Sequence, residues 1–351
     1  MYYAEPHYVE PLGVISGAEA IQLRQAGKAL PLFGKEAEAF TFVRVWDEAH
    51  SQQENSSSLL YPVEGIPPQF MSSVTPLTVC PPMVGLGPGL QIMGILNMTP
   101  DSFSDGSSYI KREDAIKAAM DMVEQGAAII DVGGESTRPG AREISVQEEL
   151  ERILPIIRYL VAQKIPISVD TRHAEVMDIV LKEGVFLIND VSGLTFDPQA
   201  ASVVAKHKAR VILMHMRGTP QTMMNYTSYS CSPVYHVAQS LALLVKKALF
   251  SGIPKENIML DPGIGFAKTP QQDFSILKHL SMLGSLGMRL VLGVSRKKFI
   301  GSVVPKTIAA ERDYGTLAAC FPALSLQHTI LRVHNVRALH QAVAVWRGMN
   351  G

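Results

Sequence analysis

Polar residues recur at one kind of place in this chain. Asn97, Asp131, Asp170, Asn189 with Asp190, His215, Asp261, Ser295 and His334 each stand at or just past the end of a short apolar run. Asp170, Asn189 and Asp261 end the third, fourth and sixth runs. A carboxylate taken out of water needs paired donors or it protonates. No Lys or Arg directly beside Asp170 or Asp261 in the sequence can serve them. A ligand rich in N–H groups, such as an aminopyrimidinone ring, would do so. A carboxylate can accept two parallel N–H bonds, and an asparagine matches a mixed donor and acceptor edge. Each residue could instead cap the helix or turn that follows, and for Asp170, before Thr171 and Arg172, that alternative stays open.

A second constellation is cationic. Ser295, Arg296, Lys297 and Lys298 follow the seventh run. Arg332 and His334 alternate at the end of the eighth, so they share one face. Arg, Lys and His at a helix start suit an anion, although a solvated basic loop has the same composition. Asn97, with Thr99, could add a neutral oxygen to a Mg²⁺ held mainly by a ligand's phosphates. Two loops, 99–106 and 133–140, are punctuated by Gly and Pro and have the look of lids that order around a ligand.

These residues need elements to position them. The runs are QIMGILN (91–97), AIIDVG (128–133), PISVD (166–170), FLIND (186–190), RVILMH (210–215), IMLDP (258–262), RLVLGV (289–294) and TILRVH (329–334). Helix-like stretches lie between them, near 111–126, 145–163, 173–184, 198–208, 234–251, 270–286, 311–327 and 336–348. Continuous apolar strands alternating with helices predict parallel strands buried on both faces. Eight such units over 91–351 predict an α/β fold, a (β/α)8 barrel, with a doubly wound open sheet as the alternative. In a barrel every strand end and following loop faces one pocket, and phosphate sites favour the loops after strands seven and eight.

The remaining 90 residues read differently. Residues 1–60 predict an N-terminal extension or small lobe with a polar linker: 18–26 is helix-compatible, 39–46 alternates like a strand, and 47–60 centres on SQQENSSS. Residues 61–90 are a Pro- and Gly-rich connection, expected to pack irregularly. No charge occurs from Gly65 to Pro100, but six prolines over 67–88 break any spanning helix. Lys plus Arg total 32 and Asp plus Glu total 32. Zero net charge argues against a non-specific grip on nucleic acid or an acidic membrane. With 47% hydrophobic and 18% charged residues, the 351-residue chain can bury a large core. Three distant cysteines and an N-terminus without a basic, then apolar, region point to a cytoplasmic protein without disulfides.

The motifs LNMTPDSFSDG (96–106), IDVGGESTRPGA (130–141), SVDT (168–171), IND (188–190), LMHM with Gly218 and Pro220, DPGIGFAK (261–268), SRK (295–297) and RVH (332–334) resemble those of the dihydropteroate synthases in order and spacing. The resemblance covers about three quarters of the chain and leaves out residues 1–90. It implies a pterin-binding barrel that joins 6-hydroxymethyl-7,8-dihydropterin pyrophosphate to p-aminobenzoate. It further implies Mg²⁺, a homodimer through late barrel helices, and sulfonamides as inhibitors. Carried over motif by motif, Asp170, Asn189, Met214, Asp261, Lys297 and Arg332 would hold the pterin. Asn97, Thr137, Arg332 and His334 would hold pyrophosphate, with Asn97 as the protein ligand of Mg²⁺. Phe103, Thr137, Arg138, Pro139, Phe266, Lys297 and Lys298 would form the p-aminobenzoate site. Asp170, Lys297, Arg332, His334 and Asp105, the last from the first lid, would be the catalytic set for an SN1-like path.

Three positions depart from the family pattern. Asn335 stands where the family usually has Asp, Ser107 where it has Gly, and Lys298 where it often has Ser. Asn335 can still cap a helix. A non-catalytic pterin-binding paralogue and a pterin-dependent methyltransferase are the alternatives. The second has no need of SRK with RxH.

Overall fold

The computed structural model describes residues 7–47, 59–82, 85–98, 108–138, 140–304, 308–326 and 328–350. It opens with a lobe: β1 (Tyr8–Ser16), α1 (Gly17–Gln25), β2 (Leu30–Pro31), β3 (Glu38–Trp46) and β4 (Leu59–Pro62). The strands pair antiparallel, β1 with β3, and β3 also with β2 and β4. Residues 61–90 were expected to be irregular, yet α2 (Met71–Thr78) crosses them. Its Val74 and Leu77 are buried, and packing there overrides a proline-rich composition that disfavours helix in isolation.

The barrel follows as β5 (Gln91–Asn97), α3 (Ser108–Glu124), β6 (Ile129–Gly133), α4 (Val146–Ala162), β7 (Ile167–Asp170), α5 (Ala174–Lys182), β8 (Leu187–Asp190), α6 (Ala200–Lys206), β9 (Arg210–Met214), α7 (Pro233–Phe250), β10 (Ile258–Asp261), α8 (Pro270–Lys278), β11 (Arg289–Gly293), α9 (Lys298–Val303), α10 (Asp313–Leu324), β12 (Thr329–Val333) and α11 (Val336–Asn350). All eight expected runs are strands. They pair in parallel from β5 round to β12, which pairs with β5, so the sheet is closed rather than open. One layer of the interior is filled by Met93, Ile129, Leu187, Ile212, Met259, Val291 and Ile330, with Leu86 from the chain before β5. Arg289 at the start of β11 donates to the carbonyls of Gly87 and Gly89 (3.4 and 2.7 Å), so residues 85–90 close the N-terminal mouth. This leaves the other mouth for the pocket.

The lobe itself lies against the flank of the barrel. The expected 270–286 helix breaks at His279, and Leu280–Leu286 continues as a 3-10 turn. Phe33 and Leu77 approach Gly284 there so closely that a side chain would begin 2.7 Å from the Phe33 ring. Glu10 binds both Arg44 (2.9 Å) and His279 Nδ1 (3.0 Å), and the Trp46 ring meets the His279 ring edge-on at 5.1 Å. Among the described residues no helix is long and apolar enough to cross a membrane.

Candidate active site

The C-terminal strand ends bring together side chains up to 201 residues apart. Arg332, on β12, reaches across to two carboxylates: its Nε donates to Asp131 Oδ2 (2.6 Å) and its Nη2 to Asp170 Oδ2 (3.0 Å). Asn189 Nδ2 also donates to Asp131 Oδ2 (3.2 Å). Asp170, which has no Lys or Arg beside it in sequence, thus finds a cation 162 residues away. Asp131 is the residue that sequence reasoning passed over, noted as a strand terminus but given no role. Its Oδ1, like Ser168 Oγ, is buried without a hydrogen-bond partner among the described residues, which is costly unless a ligand donates to it. Burial pushes the Asp170 carboxyl up to about 8 against the pull of Arg332, and Asp131, Glu149 and Asp190 add to the rise. Asp190 acts locally instead, accepting from Ser192 N (2.7 Å) and Leu194 N (3.0 Å) to build the turn after β8.

Across the mouth, Asp261 accepts from Gly263 N (2.7 Å). Burial raises its pKa, opposed first by Lys297. Lys297 donates to the Ile264 carbonyl and its Nζ lies 4.7 Å from the centre of the Phe266 ring. Burial pulls Lys297 down to about 8, while Asp261 and Asp273 hold it up. Met214 is buried at the end of β9 and packs beside Gly263.

The anion end is built on Ser295 and His334. Ser295 Oγ accepts from His334 N (3.1 Å) and lies 2.8 Å from His334 Nδ1. The Ser295 hydroxyl can donate to Nδ1 or accept from it, and in either case it fixes the orientation of the ring. Burial, with Arg296, Arg332 and Arg138 nearby, pulls His334 down to about 3. The imidazole is thus neutral here rather than the cation expected from sequence. Arg296 turns to α10 and pairs with both oxygens of Asp313 (2.7 and 2.9 Å). Asn335 donates to Asp313 Oδ2 (2.9 Å) and accepts from Ala338 N (3.0 Å), so it does cap α11. Lys298 is exposed at the start of α9.

The second lid is tied down over its described residues. Glu135 forms a bidentate pair with Arg172 (2.9 and 2.9 Å), and the Arg172 guanidinium stacks 3.9 Å from the Phe196 ring centre. Gly140 N donates to Pro220 O (3.0 Å) and Gln221 Nε2 to Ala141 O (2.8 Å). Thr137 and Arg138 lie between these anchors, with Arg138 exposed. Pro139 and the whole first lid (99–106), with Phe103 and Asp105, fall outside the described residues.

A divalent ion would find oxygen rather than nitrogen or sulfur donors. A side chain at Gly133 would begin 3.8 Å from Asp170 Oδ2 and 3.9 Å from Asn97 Oδ1, so these oxygens flank a common space. No group of three or more His, Cys, Asp or Glu among the described residues could hold a metal. That donor set fits Mg²⁺ carried mainly by phosphates, with one or two protein oxygens.

The comparisons with known proteins agree with this geometry. The pattern of the pterin binding enzymes matches residues 93–334. A dihydropteroate synthase from Synechocystis sp. is 47% identical over 277 residues, 78% of this chain and 96% of its own length. A structure of the Xanthomonas albilineans dihydropteroate synthase with 4-aminobenzoic acid superposes with a TM-score of 0.70 at 39% identity, covering 74% of this chain and 93% of that one. The Yersinia pestis enzyme in a sulfonamide complex gives 0.70 at 36%, over 74% and 94%. A barrel whose strand ends gather a carboxylate-and-amide edge beside an anion site, matched in sequence and backbone over three quarters of its length, belongs to the dihydropteroate synthase family of pterin-binding enzymes.

Proposed function

We propose that this barrel condenses 6-hydroxymethyl-7,8-dihydropterin pyrophosphate with p-aminobenzoate to give 7,8-dihydropteroate and pyrophosphate. The observation that carries the reading is one mouth with two chemistries: Asp131, Asp170, Asn189 and Asp261 offer acceptors to a nitrogen-rich ring, and Arg332, His334 and Arg138 converge on an anion. Lys297 donates to the pterin, and Phe266, Thr137, Arg138 and the backbone N–H of Lys298 receive p-aminobenzoate. Sulfonamides, which share its p-substituted aniline shape, compete there.

The bond between the pterin methylene carbon and the pyrophosphate oxygen breaks first, and its electron pair leaves with pyrophosphate. Arg332 and the His334 imidazole stabilise the negative charge on the departing group. The ring nitrogens spread the positive charge left on the methylene, and Asp170 faces it. The p-aminobenzoate nitrogen then forms the new C–N bond and loses its proton, which needs no strong base because an aniline nitrogen is weakly basic. Holding both partners in the pocket supplies the orientation. Mg²⁺, with Asn97 as its protein ligand, would neutralise phosphate charge when bound.

The exposed Ile308, Tyr314 and Phe321 beside and along α10 support a homodimer through that side. We further propose cytoplasmic residence, which the three distant cysteines support, and no nucleic acid or membrane partner, which the balanced charge supports. The domain reading keeps residues 1–60 as lobe and linker, 61–90 as connection and 91–351 as catalytic barrel. The test is pyrophosphate release from both substrates with Mg²⁺, with and without a sulfonamide and after chelation. Release that needs both substrates is expected. Pterin binding by calorimetry without release would favour a non-catalytic paralogue.

A further inference from the structure

Lys268 is only 2% exposed, yet none of its three hydrogen-bond partners is a carboxylate. Its Nζ lies 2.9 Å from His215 Nδ1, 2.9 Å from Gly263 O and 2.9 Å from Phe266 O. As an ammonium it has three donors and no acceptor, so all three are used, with His215 accepting on Nδ1. Burial pulls the Lys268 ammonium down to about 7; Asp273 and Asp261 hold it up, while Lys297 and Arg217 add to the fall. Burying a charge this way is costly, and an apolar side chain would fill the space with less strain on stability.

What the ammonium holds is an unusual stretch of backbone. Residues 263, 265 and 267 all have positive φ (65°, 79° and 51°), and residue 267 is an alanine. Gly263 lies so close to β9 that a side chain there would begin 2.0 Å from His215 O. A left-handed alanine persists only where its surroundings over-determine it. The two carbonyls gripped by Lys268 bracket the Ile264 carbonyl gripped by Lys297. The same loop carries Phe266, whose ring lies under the Lys297 ammonium. Two lysines therefore grip one loop, Lys268 from its buried side and Lys297 from the pocket.

We infer that Lys268 is a positioning residue for the p-aminobenzoate subsite: its ammonium fixes the 262–268 loop so that Phe266 and Lys297 meet in a single arrangement before the substrate arrives. The inference rests on the synthase reading and deepens it. Removing Lys268 does not strip the loop bare. Tyr229 still donates to Ala267 O (3.0 Å) and Gly265 N to Asp273 Oδ1 (2.7 Å), while Asp261 still holds Gly263 N. The loop would lose its set geometry while the barrel stays folded.

The experiment is steady-state kinetics on full-length Lys268→Met and Lys268→Arg with Mg²⁺ and both substrates. Expected is a rise of about tenfold or more in KM for p-aminobenzoate, with a clearly smaller rise for the pterin pyrophosphate, which Lys297 also touches but Asp170 and Asn189 still hold, and thermal melting still cooperative. Lys268→Arg should fall between, since a planar fork cannot reach three acceptors grouped around one point. An unchanged KM for p-aminobenzoate overturns the inference, as does an equal rise in both KM values, which marks a merely structural lysine. If Lys268→Met does not fold, His215→Phe removes one of the three acceptors. A rise of about threefold confined to p-aminobenzoate then supports the inference and a wild-type KM overturns it. Wild-type protein that releases no pyrophosphate is a different failure, that of the synthase reading.

Discussion

The pair between Arg172 and Glu135 is the clearest place to test how the second lid is held. Arg172 is 2% exposed and Glu135 4% by side chain, and two parallel bonds of 2.9 Å join them. Replacing Arg172 by Met keeps similar bulk against Phe196 but leaves the Glu135 carboxylate buried. Its remaining donor is Ile144 N at 3.4 Å, a long contact for a charged acceptor. Breaking one side of a buried pair typically costs about 3–5 kcal/mol, mostly because the other charge is stranded. Arg172→Met should lose that much in equilibrium urea unfolding. The double variant with Glu135→Met should recover most of it, since neither charge then remains inside. Because Thr137 and Arg138 follow Glu135 closely, the single variant should also bind p-aminobenzoate more weakly than wild type. A loss below about 1 kcal/mol, or a double variant no better than the single, would refute the reasoning from stranded charge.

Other consequences are quickly checked. Lys297→Ala removes a half-buried charge-assisted donor and the nearby positive charge that favours the Asp261 carboxylate, so turnover should fall by roughly 100-fold or more in the pyrophosphate assay; near-normal rates would sink the site assignment. Asn335→Ala deletes both the α11 cap and the bond to Asp313, and should cost about 1–2 kcal/mol by chemical denaturation. For His334 the folded pKa of about 3 lies below the ordinary 6.5, because burial disfavours the charged ring. The unfolded chain then binds more protons between these values, so this residue's stability contribution is present above about 6.5 and is lost as pH falls toward 3. His334→Asn should flatten the stability curve between about pH 7 and pH 5 relative to wild type; parallel curves would contradict a buried neutral imidazole.

Most of the barrel was legible from sequence because its determinants are local. Continuous runs such as RVILMH and IMLDP specify strands buried on both faces, and regular helical stretches between them leave a parallel closed sheet as the compact solution. The same regularity set Asp170, Asn189, Asp261 and His334 at strand ends, which in a barrel means one mouth. The pairing within that mouth was not legible. Arg332 meets Asp131 across 201 residues, and nothing near either one in sequence encodes the other. Ser295 orients the His334 ring across 39 residues, and Lys268 meets an imidazole 53 residues back. Nor did composition foretell α2 or the break of α8 at His279, since both are decided by the lobe packing on Gly284 and Glu10 reaching His279. The sequence by itself determined which elements form and which polar residues end them, because hydrophobic periodicity acts over a few residues. Only the tertiary structure decided which charges share a partner and which stand alone, because electrostatics and desolvation depend on distances that closure of the barrel creates.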